Sequence, residues 1–208
     1  MRRNLTVTIE KRGALQEEVQ RISPQELAFD IDGVFADTFR LFVERAKKDY
    51  GYRFRYEDIT EYDFATVIDI DERASDAIVQ TLIDFPLESG IQPIDGSVKI
   101  LTRLSQSGPL LFVTARPNRT PIMAWIRHHL PQVDPNRIDL EATLTHRNKP
   151  DILREKGVRY FVEDRLETCF LLQEHAITPI VFEQPWNRKS HPFPIVKTWN
   201  DIAALISW

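Results

Sequence analysis

Apolar positions recur along this chain with two periods, and the change between them outlines the fold. Leu5, Val7 and Ile9 alternate with polar residues and predict a short edge strand, and residues 14–22 predict a short helix that Pro24 ends. Residues 27–32 form an apolar entry running into two acids closed by Gly33, the pattern of a buried strand that ends in a functional turn. Phe39, Phe42, Val43, Ala46 and Tyr50 then fall on one face of a helix, with Asp37 placed as its N-cap. After a Tyr- and Phe-rich stretch, Ala74, Ala77, Ile78, Leu82 and Phe85 mark a second helix capped by Asp71.

From Ile94 onward strand and helix alternate. Strands are predicted at 109–114, 138–144, 158–162 and 177–182, and helices around Val98–Leu101–Leu104 and at 118–130, 150–156, 166–175 and 201–207. Gly157 is expected just past the end of its helix. Repeated β-α-β with apolar strands predicts an α/β fold, a Rossmann-like doubly wound parallel sheet with helices on both faces. The separation of Asp32 from Thr114 far exceeds the roughly 30 residues of a βαβ unit. The surplus reads as a helical cap at 38–90, inserted into a core formed by 1–37 and 91–208, with 1–26 an extension of no assigned role.

Composition narrows the function classes. Hydrophobic residues at 42% and charged residues at 28% fit a folded globular chain rather than a disordered one. Lys and Arg number 27 against 31 Asp and Glu, a net charge of −4, which disfavours a dedicated binder of nucleic acid polymers. The longest run free of Asp, Glu, Lys and Arg is residues 104–115, too short for the about 20 apolar residues of a membrane span. The N-terminal arginines lead into Glu10, Lys11 and Arg12 rather than an apolar signal-peptide stretch. Cys169 stands alone, so an internal disulfide is excluded and a reducing, cytoplasmic setting is expected. The seven glycines have neither the dinucleotide nor the Walker A spacing, so any phosphate here is held without a glycine cradle.

Four polar features fall at the carboxyl ends of the predicted strands, where open α/β sheets bind ligands: Asp30 with Asp32, Thr114 with Arg116, Lys149 at a helix start, and Glu163 with Asp164. A carboxylate such as Asp30 can attack phosphorus, and a second acid two residues on can give and take the proton. Three carboxylates facing a phosphate need a hard cation, and Mg²⁺ suits oxygen ligands from Asp30, the Asp32 backbone carbonyl and Asp164. Lys149 would offset further charge, and Thr114 with the amides that follow, beginning at Ala115, would hold phosphate oxygens. Arg116 is open between binding substrate phosphate and simply pairing with a surface acid. Glu163 is open between contacting the metal, directly or through water, and supporting it from behind.

Phe29-Asp30-Ile31-Asp32-Gly33-Val34 resembles the first motif of the haloacid dehalogenase-like phosphohydrolases, and Phe112-Val113-Thr114-Ala115-Arg116 is similar to their second. Lys149 fits the third and Phe161-Val162-Glu163-Asp164-Arg165 the acidic fourth, so the resemblance spans residues 27–185 in the right order. It implies Asp30 as nucleophile, Asp32 as acid/base, Asp164 as Mg²⁺ ligand and a helical cap of the C1 type. Residues 32–37, 57–60 and 182–188 look like the 5′(3′)-deoxyribonucleotidase branch, which implies a nucleoside monophosphate whose base is gripped by aromatics; Phe39, Tyr62 and Trp186 are the candidates. The sequence departs from that branch at Glu163, where a second aspartate is common, and at Thr38, where an aromatic is expected.

Other readings stay open at this point. The same chemistry fits a small phosphosugar or a mutase, and a phosphate-ligand sensor would keep the pocket without turnover. The pair Asp69 and Asp71 repeats the Asp-x-Asp spacing without a following glycine and suits a helix cap. The five histidines have no ligand spacing. Oligomeric state has no signature in the sequence.

Overall fold

The computed structural model describes residues 21–208. Among the described residues six strands, β1 (Leu27–Phe29), β2 (Leu110–Thr114), β3 (Ile138–Ala142), β4 (Tyr160–Glu163), β5 (Thr178–Phe182) and β6 (Ile195–Val196), form one all-parallel sheet in the order β3-β2-β1-β4-β5-β6. The chain leaves β1 for β2 on one side and returns to β4 on the other. This reversal opens a crevice at the carboxyl end of β1, flanked by the ends of β2 and β4.

Both faces of the sheet are buried, because each central strand alternates its side chains between two apolar layers. Leu27 and Phe29 of β1 face a layer with Trp125 and Ile126 of α4 (Arg119–His129), Leu101 of α3 (Ser97–Leu104) and Ile202 of α7 (Trp199–Leu205). Ala28 faces the opposite layer with Val113, Phe161, Leu153 of α5 (Lys149–Glu155) and Leu172 of α6 (Leu166–Glu174). The buried indoles are satisfied as burial requires: Trp125 donates to the Ile91 carbonyl and Trp199 to that of Val34, each at 2.9 Å.

Between β1 and β2 lie α1 (Thr38–Tyr50) and α2 (Glu72–Asp84), which pack on each other. The two ends of this insertion run side by side, with the Asp37 N–H donating to the Gln92 carbonyl at 2.9 Å and Ala36 bridging Pro93. Phe42, Ile59, Ile78 and Leu82 of the insertion join the same apolar layer as Phe29. Asp71 caps α2 as expected, its carboxylate accepting from the Arg73 and Ala74 N–H groups at 3.0 and 3.2 Å. Asp37 sits in the N-cap position of α1 without capping it; its carboxylate is taken by Arg40 at 2.7 Å.

Several boundaries differ from the sequence pattern. The strand predicted at 5–9, and all but the last residues of the helix at 14–22, lie outside the described residues. That helix does not extend to Ile22, which bridges Ile206 in extended conformation and donates to the Leu205 carbonyl at 2.8 Å. β3 stops at Ala142 because the backbone turns through Leu144 at φ +65°. β6 is a new element: two residues behind a proline-rich loop hold no detectable alternation. Among the described residues no helix is long and apolar enough to cross a membrane.

Candidate active site

The turn after β1 sets the site. The Phe35 and Ala36 N–H groups both donate to the Ile31 carbonyl at 2.8 Å, which forces a tight reversal through Gly33 at φ +74°. A methyl group at Gly33 would lie 2.1 Å from Asp164 Oδ2, so the reversal and the acid at the end of β4 occupy adjoining space only because residue 33 has no side chain. The turn projects Asp30 into the crevice, where its Oδ1 accepts the Ile31 N–H at 2.8 Å.

Lys149, the first residue of α5, is fully buried, and its ammonium lies 2.8 Å from Asp30 Oδ2 and 2.8 Å from Glu163 Oε2. Burial works against the lysine's charge, but the two carboxylates outweigh it and raise its pKa. For Glu163 burial is likewise outweighed by the charge and hydrogen bond of Lys149, and its pKa falls to about 2. The other oxygen of Glu163 accepts the backbone N–H groups of Asp164 and Arg165, both at 3.1 Å. Glu163 is thus an ionised anchor with both oxygens engaged.

Asp30 and Asp164 are driven the other way. Burial and the charge of Glu163 push both well above the usual carboxylate range, with Lys149 pulling against the shift. Oxygens of Asp30, Glu163 and Asp164 lie within 4.8 Å of one another. Asp164 Oδ2 accepts the Trp186 indole N–H at 3.0 Å, while its Oδ1 is buried with no hydrogen-bond partner. Three crowded carboxylates against one lysine, with a carboxylate oxygen left bare, fit a hard divalent cation with oxygen ligands. The donor set suits Mg²⁺, and of the three carboxylates Glu163 has both oxygens engaged by Lys149 and two backbone N–H groups.

Asp32 faces a different set. The Arg116 guanidinium grips it with both arms, Nη2 to Oδ1 at 2.7 Å and Nε to Oδ2 at 2.9 Å, and the Thr38 hydroxyl donates to Oδ1. Burial would raise the Asp32 pKa, but Arg116 and the Thr38 bond outweigh it and lower it. Arg116 is itself buried and also donates to the Leu82 and Ile83 carbonyls of α2. The sequence left Arg116 open between substrate phosphate and a surface acid; its side chain is instead buried and paired with Asp32 inside the candidate site.

The crevice opens into a cavity of about 270 Å³. Asp30, Asp32, Thr114, Ala115 and Arg116 line its floor, and Phe39, Tyr62, Leu82 and Ile83 line its walls. Trp186 is not among the lining residues: its ring lies tilted against Phe39 with centroids 4.1 Å apart, and its N–H holds Asp164. Tyr62 meets the His146 ring edge-on at 5.7 Å and carries the Arg165 guanidinium on its face at 4.6 Å. Sequence reasoning missed Thr38 and His146, which line the cavity, and Gln184, which donates to the Gly33 carbonyl at 2.7 Å and accepts from the Tyr56 hydroxyl at 2.6 Å. For these no spacing signal exists, since each meets the site through the tertiary fold.

The architecture is shared with several solved structures. It is similar to a haloacid dehalogenase-like family hydrolase of Streptococcus pneumoniae at 16% identity, covering 86% of this chain and 96% of that one, with a TM-score of 0.58. It is also similar to the HAD-hydrolase YfnB of Bacillus subtilis, a structure bound to magnesium, at 14% identity, 90% and 99% coverage and a TM-score of 0.58. A hydrolase of Pseudomonas syringae gives 13% identity, 88% and 99% coverage and a TM-score of 0.54. At such identities the likeness shows the fold. No curated protein matches the chain by sequence. Residues 25–207 match the family described as 5′ nucleotidase, deoxy (pyrimidine), cytosolic type C protein.

Proposed function

The chain belongs to the 5′ nucleotidase, deoxy (pyrimidine), cytosolic type C protein family and is a haloacid dehalogenase-like hydrolase, a phosphatase; from that premise we propose that it hydrolyses nucleoside monophosphates, with Mg²⁺, through a phospho-Asp30 intermediate. The observation that carries the reading is the buried Asp30–Lys149–Glu163 group beside the unpartnered oxygen of Asp164. Such a group is costly to bury unless it is completed by a cation and used.

In this reading an Asp30 carboxylate oxygen attacks phosphorus. Asp32, whose pKa Arg116 and Thr38 lower in the resting site, first takes up a proton and gives it to the departing oxygen as the P–O bond to the nucleoside breaks. Asp32 then takes a proton from a water whose oxygen attacks the phosphorus of the acyl phosphate, and the bond to Asp30 breaks to release inorganic phosphate. Lys149 offsets the charge that builds on the phosphoryl oxygens, and Thr114 with the amides from Ala115 orients them. Asp30, Asp164 and the Asp32 carbonyl would hold Mg²⁺, with Glu163 steadying the set; the ion, when bound, supplies Lewis-acid stabilisation of phosphoryl charge.

Residues 38–90 act as a cap over the core in this reading, excluding water and sorting substrates. The walls favour a nucleoside over a phosphosugar: Phe39, Leu82, Ile83 and Tyr62 offer an apolar, aromatic surface. A polyol would leave hydroxyls unpaired there, whereas a base stacks. A cytoplasmic setting fits the buried free thiol of Cys169.

The experiment is phosphate release from a panel of nucleotides and phosphosugars, with Mg²⁺ and with EDTA. Mg²⁺-dependent release, preferring a nucleoside monophosphate and lost in Asp30→Asn, is expected. Preference for a phosphosugar would overturn the substrate assignment. Tight binding of phosphate esters with no release would mark a sensor.

A further inference from the structure

We propose that Arg116 is a positioning residue that locks the place of Asp32 to the seat of helix α2, so that substrate fit under the cap is felt at the acid/base. The inference rests on the proposed phosphatase chemistry and adds to it a side chain that neither binds the phosphate nor moves a proton.

One planar group makes all the contacts. Its Nε and Nη2 fork onto the two oxygens of Asp32, and its Nη1 bonds the Leu82 and Ile83 carbonyls at 2.9 and 3.2 Å. Those carbonyls belong to the last turn of α2, beyond the final Phe85 N–H to Thr81 carbonyl bond, and carry the negative end of the helix dipole. A guanidinium fork fixes a carboxylate in both position and plane, which a lysine cannot do. Because the guanidinium is rigid, a shift of the α2 terminus moves Asp32 with it. The Leu82 and Ile83 side chains are themselves cavity walls, so whatever fills the cavity sets where that terminus rests. The bonds of Arg116 thus run to Asp32 and to the cap, not to the Asp30–Lys149 group that would meet the phosphoryl oxygens.

The test separates positioning of an acid from binding of a phosphate. The full-length protein is assayed with p-nitrobenzyl phosphate, whose alcohol needs a proton to leave, and with p-nitrophenyl phosphate, of similar shape, whose phenol does not. In Arg116→Ala and Arg116→Lys, kcat/KM for the benzyl ester is expected to fall about 100-fold and for the phenyl ester less than about 5-fold. Inhibition by inorganic phosphate should stay within about 2-fold of wild type, and methylguanidine should restore the benzyl ester in Arg116→Ala. If Arg116→Ala fails to fold, Arg116→Lys alone carries the comparison. An equal loss on both esters with weakened phosphate inhibition would make Arg116 a phosphate ligand and overturn the proposal. Unchanged kinetics on both would overturn it as well. A wild type inactive on both esters and on the nucleotide panel would sink the phosphatase reading itself, and this inference with it.

Discussion

Lys149 is the residue on which the charge balance of the site turns. Replacing it with Met leaves Asp30 and Glu163 facing each other without a counter-charge, and breaking a buried pair in this way costs about 3–5 kcal/mol. Lys149→Met should therefore lower the thermal midpoint sharply and cut phosphate release by at least about 100-fold, checked by melting curves beside a turnover assay. A midpoint equal to wild type would contradict the buried network. Trp186→Phe keeps an aromatic ring beside Phe39 and removes the N–H held by Asp164 together with part of the indole's volume. Mg²⁺ affinity by titration calorimetry should weaken about 10- to 100-fold, as for other groups that orient a metal ligand; unchanged affinity would show that the indole does not steer Asp164. At this scale the sequence was informative where chemistry repeats along a strand end: Asp30, Asp32, Thr114, Lys149 and Asp164 all stand at the crevice. Trp186 was legible as an aromatic near the site but not in its task, because the direction of an indole N–H is set by the packing of its loop and not by spacing.

Helix α2 and the 3-10 turn before α5 carry the predictions that belong to elements. Asp71 accepts two N–H groups at the start of α2, so Asp71→Ala should cost about 1 kcal/mol in a urea titration. His146 lies in the turn leading to Lys149; burial first, then the charge of Lys149, disfavour its protonated form and bring its pKa from 6.5 to about 4. A depressed folded-state pKa means that its contribution to stability is present above pH 6.5 and lost as the pH falls towards 4. With allowance for partial solvent screening, wild type should lose about 1–2 kcal/mol more than His146→Asn between pH 7 and 4.5. Parallel losses in the two proteins would refute a half-buried neutral imidazole. The helices and the long strands were legible because their apolar periods are unbroken, and Asp71 was legible because a cap precedes its stripe. β6 and the arrest of β3 were not, since two residues carry no period and the left-handed turn at Leu144 is imposed by tertiary position on a residue that rarely adopts it.

Among the described residues, one cluster of repelling carboxylates stands at the reversal point of the sheet, beside a cavity lined by residues of α1 and α2. A divalent cation should bind the folded chain and not the unfolded one, so millimolar Mg²⁺ should raise the thermal midpoint of wild type and leave that of Asp164→Asn unchanged. An equal rise in both would place the ion elsewhere. The parallel sheet was readable from the order of elements. The link made by Arg116 was not, because it joins a strand end to a helix end far away in the chain.

The measurement that bears most directly on the central claim is chemical capture of the intermediate. Turnover of a nucleoside monophosphate is quenched, the protein is reduced with borohydride, and peptides are read by mass spectrometry. An acyl phosphate on Asp30 becomes homoserine at position 30 and only there, which is the predicted result. Active turnover with position 30 unmodified, or with the label on another residue, would contradict the account.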